Sequence, residues 1–277
     1  MRKMLCLMLA LLLFLPCAAF AELEKGVMTK LELASAIDLD GDGSTDTVSL
    51  SVKPEDEEYP EDAVTFTLTV NGLSVEGAGY ALTGELYAAR LDNGYDSVLL
   101  FVPENGMSSD YACSVFLYED EKLIAVGGIP SPAEKISVFG ETLTGVIRGS
   151  SLQTWFHPGE YVLCRDYSYS EEYTPHDPVL MEAPRASYPV GTIVTLKKDI
   201  ALTLTPYVDE EVMVLRAGEV AALTATDDLS WIYLSPVGAD MYYEYAGGYT
   251  AIRNLQVMTA DGFVDGYDAF EGLFFAD

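Results

Sequence analysis

Asp38-Leu-Asp40-Gly-Asp42-Gly43-Ser-Thr-Asp46-Thr-Val-Ser-Leu-Ser-Val52 joins an acidic, glycine-containing loop to an alternating run. Its first nine residues place carboxylates at positions 1, 3, 5 and 9 and a glycine at position 6, the first part of a calcium loop. A hard cation of that size takes six or more oxygens at about 2.3–2.6 Å, and alternating side chains in a tight turn converge on one point. Gly43 permits the sharp reversal, and the carbonyl of Ser44, at position 7, adds a backbone oxygen. Position 12 is Ser49 rather than Glu, within the alternating run Thr47–Val52 that reads as a β-strand. No helical pattern flanks the loop, so it is a turn that feeds a strand.

Outward from this point the same grammar repeats. Period-two alternation and β-branched or aromatic runs recur at Val64–Val70, Ser97–Val102, Cys113–Tyr118, Leu152–Phe156, Tyr161–Cys164, Val220–Ala225, Trp231–Leu234 and Tyr249–Ile252, separated by Gly, Pro, Asn and Asp clusters. The expectation is an all-β chain. An N-terminal stack of antiparallel, blade-like sheets occupies 22–165, a linker 166–187, and a small barrel with a C-terminal tail 188–277. The linker is placed by a polar run, Asp166–Pro178, that carries two prolines and lacks alternation. Leu39–Leu50 aligns with Leu91–Leu100, a weak repeat of a turn leading into a strand, which suggests two sheet units of about four strands.

The Asp-x-Asp-x-Asp-Gly-x-x-Asp loop resembles the turns of FG-GAP/VCBS-type repeats, which lead into β-strands. The resemblance implies an exported β-repeat protein that uses calcium structurally, with Asp38, Asp40, Asp42, the Ser44 carbonyl and Asp46 as ligands. The second copy begins at Arg90 and keeps only Asp92 and Asp96 of the pattern, so no ion is expected there. The alternative for the first copy is an acidic Gly-rich turn without metal. Farther on, Leu215-Arg-Ala-Gly218-Glu219, Trp231-Ile-Tyr-Leu234 and Gly248-Tyr-Thr-Ala-Ile252 resemble a bacterial Src-homology-three-like barrel. That family implies binding of a peptide, glycan or cell-wall fragment through aromatic residues, here Tyr207, Trp231, Tyr233, Tyr242, Tyr243 and Tyr245. The same aromatics also suit a core or a domain contact. The tail lies outside the resemblance, and its Phe270, Leu273, Phe274 and Phe275 are expected to dock back on a domain.

Composition bounds the function. The 277 residues hold 44 acids against 15 Lys+Arg, a charge of −29, which argues against nucleic acid or an anionic membrane as a direct partner. Hydrophobic residues are 49%, enough for a packed core rather than a disordered chain. Residues 1–21 read as a secretory signal: Arg2 and Lys3, an apolar run from Met4 to Leu15, then Ala19-Phe20-Ala21 before the cleavage point. The expected product is secreted, extracellular or in the cell envelope, with no membrane segment after cleavage. Cys113 and Cys164 then remain, either as one disulfide or as two buried thiols. The acidic run Glu55–Asp62 has no regular spacing and reads as a solvated loop. His157 and His176, each close to a proline, read as turn or linker residues. No nucleophile elbow, His-Glu-x-x-His zinc site or phosphate loop appears, so no catalytic residues are assigned. The reading is a non-catalytic binding or structural protein. The alternative is an exported hydrolase, or an accessory subunit of a system that degrades cell wall or polysaccharide.

Overall fold

The structure, a computed structural model, describes residues 21–33, 37–54, 64–95, 97–106, 109–149, 152–153, 155–165, 177–183, 187–206, 210–238 and 247–274. Most of the expected leader (residues 1–20), the acidic run 55–62, most of the expected linker, Tyr207 and the tyrosines at 242, 243 and 245 lie outside the described residues. Among the described residues no helix is long and apolar enough to cross a membrane.

The chain is all-β, built from antiparallel sheets apart from one short two-stranded parallel pair near its start. Three short pieces come first: β1 (Ala21–Glu22), β2 (Thr29–Lys30) and β3 (Ile37–Asp38). The acidic loop then feeds a meander of β4 (Val48–Pro54), β5 (Val64–Val70) and β6 (Leu73–Gly79). Next come β7 (Tyr87–Arg90), β8 (Val98–Asn105), β9 (Tyr111–Glu119) and β10 (Lys122–Ile129), and β2 joins this sheet at its β7 edge. A third sheet holds β11 (Ser137–Phe139), β12 (Thr142–Gly149), β13 (Trp155–Cys164) and β14 (Val179–Glu182).

These three sheets are stacked layers, and burial shows why. In β5 the residues Val64, Phe66, Leu68 and Val70 are buried while the intervening threonines are not, the signature of an outer layer with one wet face. In β8 six successive residues from Val98 to Pro103 are buried, because that strand is covered on both sides. Val98, Leu100 and Val102 pack toward Phe66, Leu68 and Val70. Leu99 and Phe101 pack the other way, with Leu143, Ile147, Tyr161 and Leu163 of the third sheet. Each copy of the sequence repeat opens a three-stranded meander rather than a four-stranded unit. The extra strands of the middle sheet, β7 and β2, come from before the second copy. The hairpin turns fit their residues. Asn71-Gly72 takes positive φ at both positions, the two-residue turn that matches strand twist.

The C-terminal region is one curled sheet. Its strands are β15 (Tyr188–Leu196), β16 (Ile200–Thr203), β17 (Glu211–Leu215), β18 (Val220–Thr226), β19 (Trp231–Pro236), β20 (Gly248–Arg253), β21 (Gln256–Thr259), β22 (Gly262–Asp265) and β23 (Phe270–Glu271), with a one-turn helix α1 (Gly266–Ala269). Pairing runs β17-β16-β20-β19-β18-β15-β23, with β21 and β22 attached to β20. Side chains from both ends of this order, Met213 and Leu215 of β17 and Phe270 of β23, share one core with Leu196, Leu223, Ile232 and Leu234. Register shifts in the β15–β18, β16–β17 and β18–β19 pairs supply the bending. The tail is part of this core: Phe270 is buried and Leu273 packs on it, whereas Phe274 is largely exposed and Phe275 lies outside the described residues.

The stack and the curled sheet are not insulated from each other. Leu152 and Trp155 belong to the C-terminal core. The Trp155 indole N–H donates to the Tyr188 hydroxyl, and Gln153 both donates to Thr192 Oγ1 and accepts from the Phe274 N–H. His157 differs from the expectation of a turn residue. It lies in β13, is 2% exposed, and stacks on Tyr188 at 3.8 Å. Pro158 does not break the strand because β14 pairs only with Tyr161–Cys164, which leaves the earlier half of β13 an edge. Cys113 and Cys164 are free thiols. Cys113 sits in the middle-layer core, where burial foremost, with the charges of Glu134 and Glu104, pushes its thiol up to about 12. A thiol so raised is inert at neutral pH.

One turn of the curled sheet has a testable charge. Between β18 and β19 the Asp227 carboxylate accepts N–H bonds from Leu229, Ser230 and Trp231 at 2.8–3.0 Å and the Ser230 hydroxyl at 2.6 Å. Burial pushes its pKa up, but these donors together hold it below the usual carboxylate range. A depressed carboxyl contributes stability that is present above its unfolded pKa, about 3.9, and is lost as pH falls through the folded value. Asp227→Asn is therefore expected to lower stability by about 1 kcal/mol at pH 7. The gap to wild type should close in acid below about pH 4. Urea melts of both proteins across pH check this, and a gap that does not narrow in acid contradicts it.

Candidate metal centre and aromatic face

The loop is built by its own carboxylates turning back on the chain. Asp38, buried at the end of β3, accepts the Gly41 N–H at 2.7 Å with Oδ1 and the Gly43 N–H at 3.0 Å with Oδ2. Asp40 accepts from the Asp42 N–H, and Asp42 from the Ser44 N–H at 2.6 Å. Such Asx turns are the usual habit of Asp in tight loops. Gly41 and Gly43 both have positive φ, 79° and 87°, which only glycine adopts without strain. One oxygen from each of Asp38, Asp40 and Asp42 lies within 4.8 Å of the others. These three of the five expected ligands are brought together.

Asp46 is not part of that trio. It is 6% exposed and ties the loop to the sheets: its N–H donates to the Ile37 carbonyl at 2.7 Å, and its Oδ2 accepts from the Leu39 N–H at 2.7 Å. Its Oδ1 accepts from Asn71 Nδ2 at 2.5 Å, and Asn71 also donates to the Tyr118 hydroxyl and accepts from the Thr47 N–H. Ser44 is exposed beside the trio. The crowding has an electrostatic consequence. Burial foremost, with repulsion from Asp46, Asp42 and Asp38, raises the Asp40 pKa against the lowering effect of the Asp42 N–H. The donor set is all oxygen and all anionic, chemistry that suits a hard divalent cation such as calcium.

Two residues missed by sequence reasoning shape this end of the molecule. Arg90, 6% exposed, pairs with Glu22 at 2.6 Å and lies so close to Gly41 that a Cβ there would sit 2.0 Å from Nη1. The arginine that opens the second repeat thus buttresses the loop of the first. At the second copy, Arg165 Nη1 donates to Glu119 at 2.6 Å and Nε to Glu141 at 2.5 Å, Nη2 reaches Ser97, and the guanidinium lies 4.6 Å over Tyr95. A side-chain cation occupies the end of the sheet beside the turn that lost most of its ligand positions. Nothing in the local spacing announces either contact, since the partners are 46–68 residues apart along the chain for Arg165 to Glu119 and for Arg90 to Glu22.

The aromatic candidates divide. Trp231 and Tyr233 alternate with Ile232 and Leu234, and it is the latter pair that enters the C-terminal core. Trp231 and Tyr233 therefore share the opposite face of β19, where both rings meet Tyr249 edge-on at 5.0 and 4.8 Å. Trp231 is 7% exposed, while Tyr233 and Tyr249 are half-buried. Burial raises the Tyr233 pKa, so its hydroxyl stays neutral at physiological pH. No family model matches the chain, and no curated protein or solved structure matches it.

Proposed function

We propose that this chain is an exported, non-catalytic binding or structural protein whose stacked sheets are stabilised by calcium. The observation that carries the reading is the trio Asp38, Asp40 and Asp42, whose carboxylate oxygens lie within 4.8 Å of one another. In this reading the trio and the Ser44 carbonyl hold the ion, while Asp46 ligates it through lone pairs left by Leu39 and Asn71 and clamps the loop to the sheet. The FG-GAP/VCBS-type resemblance of the loop supports the same assignment. The leader Met1–Ala21 directs export, and the acidic surface keeps the released protein soluble.

The curled C-terminal sheet is the binding element of this proposal. Its support is the row Trp231–Tyr249–Tyr233 on the face turned away from the core, together with the resemblance to Src-homology-three-like barrels. Tyr207, Tyr242, Tyr243 and Tyr245 extend the same proposal into segments outside the described residues. A peptide, glycan or cell-wall fragment is the ligand class. Incubation with peptidoglycan sacculi tests this. Retention of the protein without released fragments is expected, and Tyr233→Ala should weaken it. Soluble fragments would replace the reading with that of a hydrolase, and neither retention nor release would leave a structural role.

A further inference from the structure

The far end of the stack carries a grooved face distinct from both sites above. Three adjoining clefts of 660, 230 and 220 Å³ all use Tyr111 as a wall. Tyr111 opens β9, whereas Tyr118, near its other end, touches Asn71 beside the acidic loop. The two sites are therefore about 20–25 Å apart along the strand. The largest cleft is lined by Tyr80, Tyr111, Pro130, Glu104 and Asp110 with two small residues, and among the described residues no cationic side chain lines it. Its walls are fixed by the backbone. The Tyr80 N–H donates to Glu104 Oε2 at 2.9 Å, and the Gly106 N–H donates to the Asp110 carbonyl at 2.9 Å. Arg148 reaches Asp110 only at 3.8 Å from the neighbouring cleft, and the Asp110 side chain is 82% exposed.

Tyrosine faces beside acceptor-only carboxylates are the surroundings an ammonium or guanidinium group seeks. This protein already places its own guanidinium groups over Tyr95 and Phe263 at 4.6 and 4.2 Å. A chain of charge −29 draws cationic partners from a distance. The two clefts that continue past Tyr111 along Pro103, Pro130 and Pro132 carry Lys30, Lys135 and Arg148 beside Glu85 and Glu134, so the acidic seat is confined to the largest cleft while its neighbours give room for the rest of a chain rather than a single small cation. We infer that this face binds a basic peptide segment, with a lysine or arginine side chain seated between Tyr80 and Tyr111 against Glu104 and Asp110. The inference stands apart from the calcium and C-terminal readings.

A labelled hexalysine peptide, followed by fluorescence anisotropy on the full chain at low salt, tests it. Glu104→Gln and Tyr80→Ala are each expected to weaken binding about tenfold, and Tyr80 is exposed enough for the fold to tolerate its loss. Glu76→Gln removes the same charge from an exposed position of β6 and should change Kd less than about twofold. Equal weakening by Glu76→Gln and Glu104→Gln would reduce the effect to bulk charge and overturn the inference. So would unchanged binding by Tyr80→Ala, or preferential uptake of spermine or a neutral chitin oligosaccharide over hexalysine.

Discussion

Phe270→Ala is expected to destabilise the C-terminal sheet by about 3–5 kcal/mol, one of the largest single-residue effects in the molecule. Phe270 is 1% exposed and pairs across from Leu196, where β23 closes the edge of β15. Truncation leaves a void in a core whose other members, Val194, Leu196 and Leu152 among them, are themselves buried, so little collapse can refill it. Phe274, four residues on and 58% exposed, provides the internal control. Its truncation should change stability by about 0.5 kcal/mol or less. Urea denaturation of the two variants beside wild type separates them. Equal effects would mean that the tail is an appendage rather than part of the core. Because Leu152 and Trp155 enter the same core, the loss should also loosen the join between the two regions.

The second large effect is expected from calcium. A free concentration a hundredfold above Kd stabilises a protein by about 2.7 kcal/mol. For a chain of this size that is about 5–10 °C in Tm. Asp40→Asn should remove this increment. The same substitution should leave the chelated protein as stable as wild type or slightly more so, by about 0.5 kcal/mol at most, because it removes a charge repelled by Asp38, Asp42 and Asp46. The sign follows from the raised Asp40 pKa. The native state holds that proton to higher pH than the unfolded chain does, so without metal this group's contribution falls as pH rises through the carboxylate range. Calcium bound at the proposed site would reverse the slope, since protons compete for the same oxygens, and the calcium-dependent increment should fade below about pH 4. A variant that lost stability equally with and without chelator would show Asp40 to be a turn residue only.

How much of this was legible in the sequence depends on the range of the interaction. Val64–Val70 was readable as a strand because one face is wet and the alternation survives. Ser97–Val102 was readable by its β-branched and aromatic content, but only the structure explains the unbroken apolar run within it, by a sheet on each side. Leu152–Phe156 and Tyr161–Cys164 read as separate strands, whereas Trp155–Cys164 is one strand. Pro158 and Gly159 look like a break until the missing neighbour on that edge is known. Asp38, Asp40 and Asp42 were readable as a converging set because the contact is local. The clamp of Asp46 by Asn71, the seat of Arg90 on Gly41 and the cleft around Tyr111 depend on layers stacking, and no local pattern encodes them. The tail lies outside the barrel resemblance, and its apolar residues lead to the expectation that it docks back, as Phe270 and Leu273 do; the route, β23, is a two-residue strand too short to show any period.

In the proposed function the acidic loop is a metal site that secures the stack. Isothermal titration of calcium into chelator-stripped protein tests it most directly. One saturable site per chain is expected, abolished by Asp40→Asn and retained in Asp92→Asn, which alters the second, degenerate copy. Absence of saturable binding, or binding that persists unchanged in Asp40→Asn, would contradict it.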